Sequence, residues 1–171
     1  CSSSSNAKSQ KATATLQIFH SNDINGYLKE CGWKVKLGGL ARRATLIQNF
    51  SDSADFMMQL DAGGFSKGYG PTAQIQTEYL VRGLLSLGYD ALNLSHKEFY
   101  KGGALLKELE KENKFSFLSS NIYFENGKAF SQPSMIKTLS AKGVDSPPFK
   151  KLKIALFGLC DQKDKLLHRS A

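Results

Sequence analysis

No run of apolar residues in this chain is long enough to cross a bilayer, so no membrane-spanning helix is expected within it. No internal repeat is visible, which leaves a single globular unit as the simplest organisation. Cysteine is confined to Cys1, Cys31 and Cys160, too few for a disulfide framework. Also missing is any motif that combines basic with aromatic residues for nucleic acid binding, so nucleic acid is not an expected partner despite the charge.

A length of 171 residues is enough for one sizeable core but not for two ordinary domains. Hydrophobic residues make up 41% and aromatics 11%, a globular composition that confines disorder to the ends. The formal charge is +8, with Lys150, Lys151, Lys153, Lys163, Lys165 and Arg169 towards the C-terminus and Lys107, Lys111 and Lys114 on an expected helix face. Such an excess suits phospholipid headgroups, lipopolysaccharide or an acidic protein. A dispersed, solvated charge with no partner is the equal alternative.

Apolar periodicity predicts alternating strands and helices. Strands are expected over Ala14–His20, Phe56–Leu60, Ala91–Leu94 and Phe115–Ser119, the first two buried, and helices over Leu40–Phe50, Thr72–Leu87 and Ala104–Asn113. Ile75, Tyr79, Leu80 and Leu84 mark the second helix, and Gly88 is placed to end it in a left-handed cap. Asn126-Gly127 predicts a hairpin turn, Pro133–Leu139 an extended edge and Lys151–Leu159 a last buried strand. The fold class is α/β, a layered sheet, at least partly parallel, flanked by helices.

Residues 1–13 form a polar leader that begins Cys1-Ser2-Ser3-Ser4-Ser5-Asn6, residues 14–160 the domain, and residues 161–171 a charged tail. The leader resembles the start of a mature bacterial lipoprotein, with acyl chains on Cys1. Ser2 after the cysteine resembles an outer-membrane sorting pattern, so the expected location is the cell envelope, on the periplasmic face of the outer membrane. The plainer reading is a cysteine that merely stands first.

His20-Ser21-Asn22-Asp23-Ile24-Asn25-Gly26, Gly38-Gly39-Leu40-Ala41-Arg42-Arg43, Leu60-Asp61-Ala62-Gly63-Gly64, Leu87–Asn93, Ser95-His96-Lys97-Glu98 and Phe117–Asn121 occur in this order. Together they resemble the calcineurin-like metallophosphoesterases of the periplasmic 5'-nucleotidase type, over about residues 16–159. The resemblance implies that family's layered sheet, shortened to about the first half of its catalytic domain. It also implies two-metal phosphoester hydrolysis, in which ligands on strand-end loops hold two ions that activate water.

The motifs depart from the family at the residues that carry this chemistry. Asn25 stands where the family has a His ligand, and a neutral amide is a weaker donor. Gly64 stands where it has the metal-bridging Asp, while Asp61 is not a bridging ligand. His96 replaces an Asn ligand, and Lys97 replaces the His that assists phosphoryl transfer. A lysine there repels a metal and is a poor proton shuttle unless burial lowers its pKa. Glu98 is kept for structure. Beyond the last strand only His168 is found, without the family's Gly-His-x-His pattern.

The expected cofactor is therefore none, with Asp23 and His96, joined by Glu98, as vestigial metal candidates. Asp23 has the alternative of ordering its own turn. Of Arg42 and Arg43, either both hold a phosphate near a helix start or one faces solvent and one packs on the sheet. Trp33 with Tyr27, Val35 and Leu37 forms an apolar loop over the site, either a lid or a docking surface. Cys31 and Cys160 either form a disulfide or stay free. The leading expectation is a non-catalytic, lipid-anchored protein that binds a protein partner or a second copy of itself. The rivals are a metal-dependent phosphoesterase completed by a partner chain and a fragment of a longer enzyme.

Overall fold

Three apolar runs become parallel neighbours in one sheet of order β1-β2-β3: β1 (Leu16–Ser21), β2 (Phe56–Asp61) and β3 (Ala91–Leu92). Parallel strands cannot be joined by a tight turn, and a helix makes each crossover. These are α1 (Leu40–Asn49) between β1 and β2, and α2 (Ala73–Ser86) between β2 and β3. A 3₁₀ turn (His96–Phe99) and α3 (Ala104–Asn113) follow, then an antiparallel ribbon of β4 (Ser134–Ser140) and β5 (Lys151–Phe157). The computed structural model describes residues 13–32, 34–100, 102–142 and 149–161. Cys1 and nearly all of the leader, Trp33, and nearly all of the tail with His168 lie outside the described residues.

The main core lies between the sheet and its helices, around Phe65, Leu80, Leu84, Leu92, Leu106 and Phe117, each fully buried. A smaller cluster of Phe56, Met58 and Leu139 joins β2 to the ribbon, with Leu152 and Ile154 against it. The Asn126-Gly127 turn is in place: Gly127 N–H donates to the Phe124 carbonyl at 2.9 Å, and Tyr123 bridges Ala129 antiparallel.

Several expectations need correction. In α2 the buried face is Ala73, Thr77, Leu80, Val81 and Leu84, while Ile75 and Tyr79 are 56% and 58% exposed. Thr77 can replace an apolar residue on that face because its hydroxyl donates to the Ala73 carbonyl at 2.8 Å. Phe115–Ser119 is not a strand, and only Leu118 bridges its neighbours, Asn93 and Gln132. The Glu110 carboxylate takes the Phe117 N–H at 3.0 Å, removing a donor a ladder would use.

β1 and β5 were expected to be buried, because continuous apolar runs suit strands covered on both faces. Instead, β1 alternates between exposed and half-buried up to Ser21, and β5 does so throughout. β1 is the edge of the three-stranded sheet and β5 pairs with β4 alone, so Leu16, Ile18 and Phe157 remain exposed among the described residues.

Gly88 closes α2 as its sequence position indicated. Its N–H donates to the Leu85 carbonyl at 3.0 Å, the Tyr89 N–H reaches back to Leu84 at 3.2 Å, and Gly88 has φ 83°. This is a Schellman cap, which requires the left-handed conformation at that residue. A Cβ at Gly88 meets only Gln59 Nε2 at 3.4 Å, an ordinary contact, so the cost of Gly88→Ala is conformational. The variant is expected to lose about 1–2 kcal/mol in urea denaturation, with an unchanged denaturant slope.

Candidate functional site

The loops that follow β1, β2 and β3 all leave the C-terminal ends of parallel strands, where open α/β sheets place their sites. Backbone bonds join the first two loops: Asp23 N–H to Gly63 O at 2.9 Å, Asn25 N–H to Gly64 O at 2.9 Å, and Gly26 N–H to Phe65 O at 2.7 Å. Asp23 and Asn25 both take positive φ, 50° and 52°, a conformation that Asn and Asp tolerate better than other side chains.

Glu98 ties the third loop to the second. It is 5% exposed, and its two oxygens accept from Gly64 N–H at 3.2 Å, Ser66 N–H at 2.9 Å, Ser95 N–H at 2.7 Å and Ser95 Oγ at 2.7 Å. The bond from Ser95 N–H, with one that Ser95 Oγ accepts from Lys97 N–H at 3.3 Å, caps the 3₁₀ turn that carries His96 and Lys97. The spacing of Ser95 and Glu98 is the sequence signal for this clamp.

With the turn held there, Lys97 reaches across to the first loop. Its Nζ donates to Asp23 Oδ1 at 2.7 Å and to Asn25 Oδ1 at 3.2 Å. Asn25 Nδ2 in turn donates to the Asp23 carbonyl at 2.6 Å. The turn-ordering bond considered for Asp23 is thus made by Asn25, and the Asp23 carboxylate faces an ammonium. Lys97 is a side chain that the fold brings onto Asp23.

Gly64 completes the arrangement. A Cβ at Gly64 would sit 2.4 Å from Asp23 Oδ1 and 3.1 Å from Asp23 Cα, so Asp23 fills the space a side chain at 64 would need. A divalent cation, implied by the family resemblance, does not fit this arrangement of residues. The carboxylate it would use is held by a cation from the chain itself, and residue 64 contributes no ligand. Among the described residues no three His, Cys, Asp or Glu side chains converge to hold a metal ion.

Beneath the site runs a polar network that sequence reasoning missed. Ser21 and Asp61 are register partners at the ends of β1 and β2. Ser21 Oγ donates to Asp61 Oδ2 at 2.5 Å and lies 3.1 Å from Tyr89 Oη, which accepts from Arg43 Nη1 at 3.0 Å. Gly63 N–H donates to Asp61 Oδ1 at 2.9 Å. Arg43 therefore packs towards the sheet and Arg42 faces solvent. Burial pushes the Asp61 carboxyl up to about 6, against the hydrogen bonds from Ser21 and Gly63.

Chain segment 158–160 crosses the same strand ends. Asn93 Nδ2 donates to Ala62 O and Leu159 O, each at 3.0 Å, and Asn121 brackets the Cys160 backbone through bonds of 2.7 and 2.9 Å. Cys160 is buried and Cys31 exposed, and no disulfide joins the two. Cys31 instead exchanges backbone bonds with Leu37 in a small loop on which Val35 and Leu37 are exposed, as is Tyr27 nearby.

The three strand-end loops, the crossover helices and the sheet order define a calcineurin-like phosphoesterase fold. The chain superposes on the calcineurin-like phosphoesterase YfkN from Bacillus subtilis with a TM-score of 0.66 and 22% identity, over 85% of this chain and 48% of that one. Its sequence is similar to snake venom 5'-nucleotidase of Gloydius brevicauda, 35% identical over 63% of this chain and 20% of that protein. It is also similar to Protein UshA of Salmonella pullorum, 29% identical over 86% of this chain and 26% of that protein. The chain thus spans about a fifth to a quarter of these relatives' length. No family model matches it.

Two outcomes are expected. Glu98→Gln turns an amide donor towards backbone donors and should cost about 2–3 kcal/mol in denaturant unfolding. Because the folded-state value of Asp61 lies above its ordinary 3.8, its contribution to stability is full below about pH 4 and declines as pH rises through about 6. The decline amounts to at most about 3 kcal/mol. Unfolding midpoints of the wild type and Asp61→Asn should therefore diverge across that window, with the variant gaining towards high pH.

Proposed function

We propose that this chain is a non-catalytic protein with a degenerate 5'-nucleotidase-like fold. In this proposal it is anchored in the cell envelope by lipid on Cys1 and acts as a structural or accessory subunit of a protein assembly. The observation that carries the reading is the Lys97 ammonium on Asp23 Oδ1 at 2.7 Å, beside a glycine at 64. Two-metal hydrolysis draws on anionic and imidazole ligands to hold its cations. Here one carboxylate is already neutralised, and Asn25 offers an amide that Lys97 also engages.

A binding role is supported by what is uncovered among the described residues. β1 is a sheet edge with Leu16 and Ile18 exposed at 37% and 47%, and Ile136 and Phe157 on the ribbon are exposed at 71% and 69%. Unpaired edges and apolar faces of this kind favour association with another protein or a second copy. The charge of +8 adds attraction to anionic headgroups or an acidic partner.

The test is a phosphatase assay on a nucleoside monophosphate with added manganese or zinc, run beside gentle extraction of the native protein. The expected result is no turnover above a Asp23→Ala control, and co-purification with a partner or as an oligomer. Metal-dependent turnover abolished by Asp23→Ala would overturn the non-catalytic reading in favour of a phosphoesterase. A solitary monomer would count against the assembly role.

A further inference from the structure

Three charged or space-filling features meet at one point in the site: the Asp23 carboxylate, the Lys97 ammonium and the missing side chain of Gly64. Resting on the non-catalytic reading above, we infer that Lys97 is a built-in cation that takes the place of a divalent metal at Asp23, and that Gly64 is the space this exchange requires.

Three observations support the inference. Lys97 Nζ contacts oxygens from two residues, Asp23 Oδ1 at 2.7 Å and Asn25 Oδ1 at 3.2 Å, so it bridges the loop as a bound cation would. The lysine is not a free surface chain that happens to fold back, since the Ser95 hydroxyl and the buried Glu98 fix the turn bearing it. A Cβ at residue 64 would lie 2.4 Å from Asp23 Oδ1, the oxygen that Lys97 holds, so a side chain there requires that carboxylate to shift.

An ammonium at hydrogen-bond distance from a carboxylate repels a divalent ion approaching the same oxygens, and removing it lifts that repulsion. Removing the charge of Lys97 should therefore raise the affinity of Asp23 and Asn25 for a divalent cation. The positive φ of 73° at Gly64 adds backbone strain to any substitution there, but that strain does not depend on Lys97. Only the clash with Asp23 Oδ1 does.

Two measurements on the intact chain test this. In calorimetric titration with Mn²⁺, Lys97→Met should bind at least about tenfold more tightly than the wild type, and Lys97→Arg, which keeps the charge, should behave as the wild type. In a double-mutant cycle, Gly64→Ala should shift the unfolding equilibrium about fivefold less in the Lys97→Met background than alone, because Asp23 is then free to move aside. Mn²⁺ affinity that is equal in wild type and Lys97→Met would overturn the inference, as would strictly additive effects of the two substitutions. Turnover of a nucleotide by the wild type would instead defeat the non-catalytic reading, and the Mn²⁺ titrations would still judge Lys97 separately.

Discussion

The buried carboxylate of Glu98 is the contact on which the geometry of the site depends. Four donors from two loops end on its two oxygens, and three of them are backbone N–H groups that a buried site must satisfy. Through these bonds the turn after β3 is fixed against the loop after β2, which is itself joined by backbone bonds to the loop after β1. An exposed ion pair between Lys97 and Asp23 contributes little stability by itself. Its position follows from the bonds that hold the two loops bearing Lys97 and Asp23.

The same clamp explains how a fold shared with phosphoesterases can hold a site of different character. Loop positions and strand ends are set by backbone bonds and by Glu98, neither of which requires a metal. The side chains presented by those loops can change independently of the scaffold. The contacts of Asn25, Gly64 and Lys97 are mutually consistent: the amide accepts from the lysine, the glycine admits the carboxylate, and the lysine neutralises it.

Much of the scaffold was legible because it rests on local signals. The third helix falls at Ala104–Asn113 as periodicity indicated, and Gly88 closes α2 because only a left-handed residue completes that cap. The surface positions of β1 and β5 were not legible, since an apolar run looks the same whether or not another layer covers it. At the site, Lys97, Asn25 and Gly64 could be singled out in the sequence, but their mutual contact could not. Lys97 and Asp23 are 74 residues apart, and their meeting depends on sheet order and on the Glu98 clamp. The network of Ser21, Asp61, Tyr89 and Arg43 was hidden for the same reason, because strand register brings the first two together.

The central claim is that a side-chain ammonium, and not a metal ion, neutralises Asp23. A crystal structure grown and soaked in manganese, with anomalous diffraction recorded, tests this most directly. The account predicts Lys97 Nζ within hydrogen-bond distance of Asp23 Oδ1 and no anomalous peak between the loops. A manganese peak coordinated by Asp23, with Lys97 turned out to solvent, would contradict it.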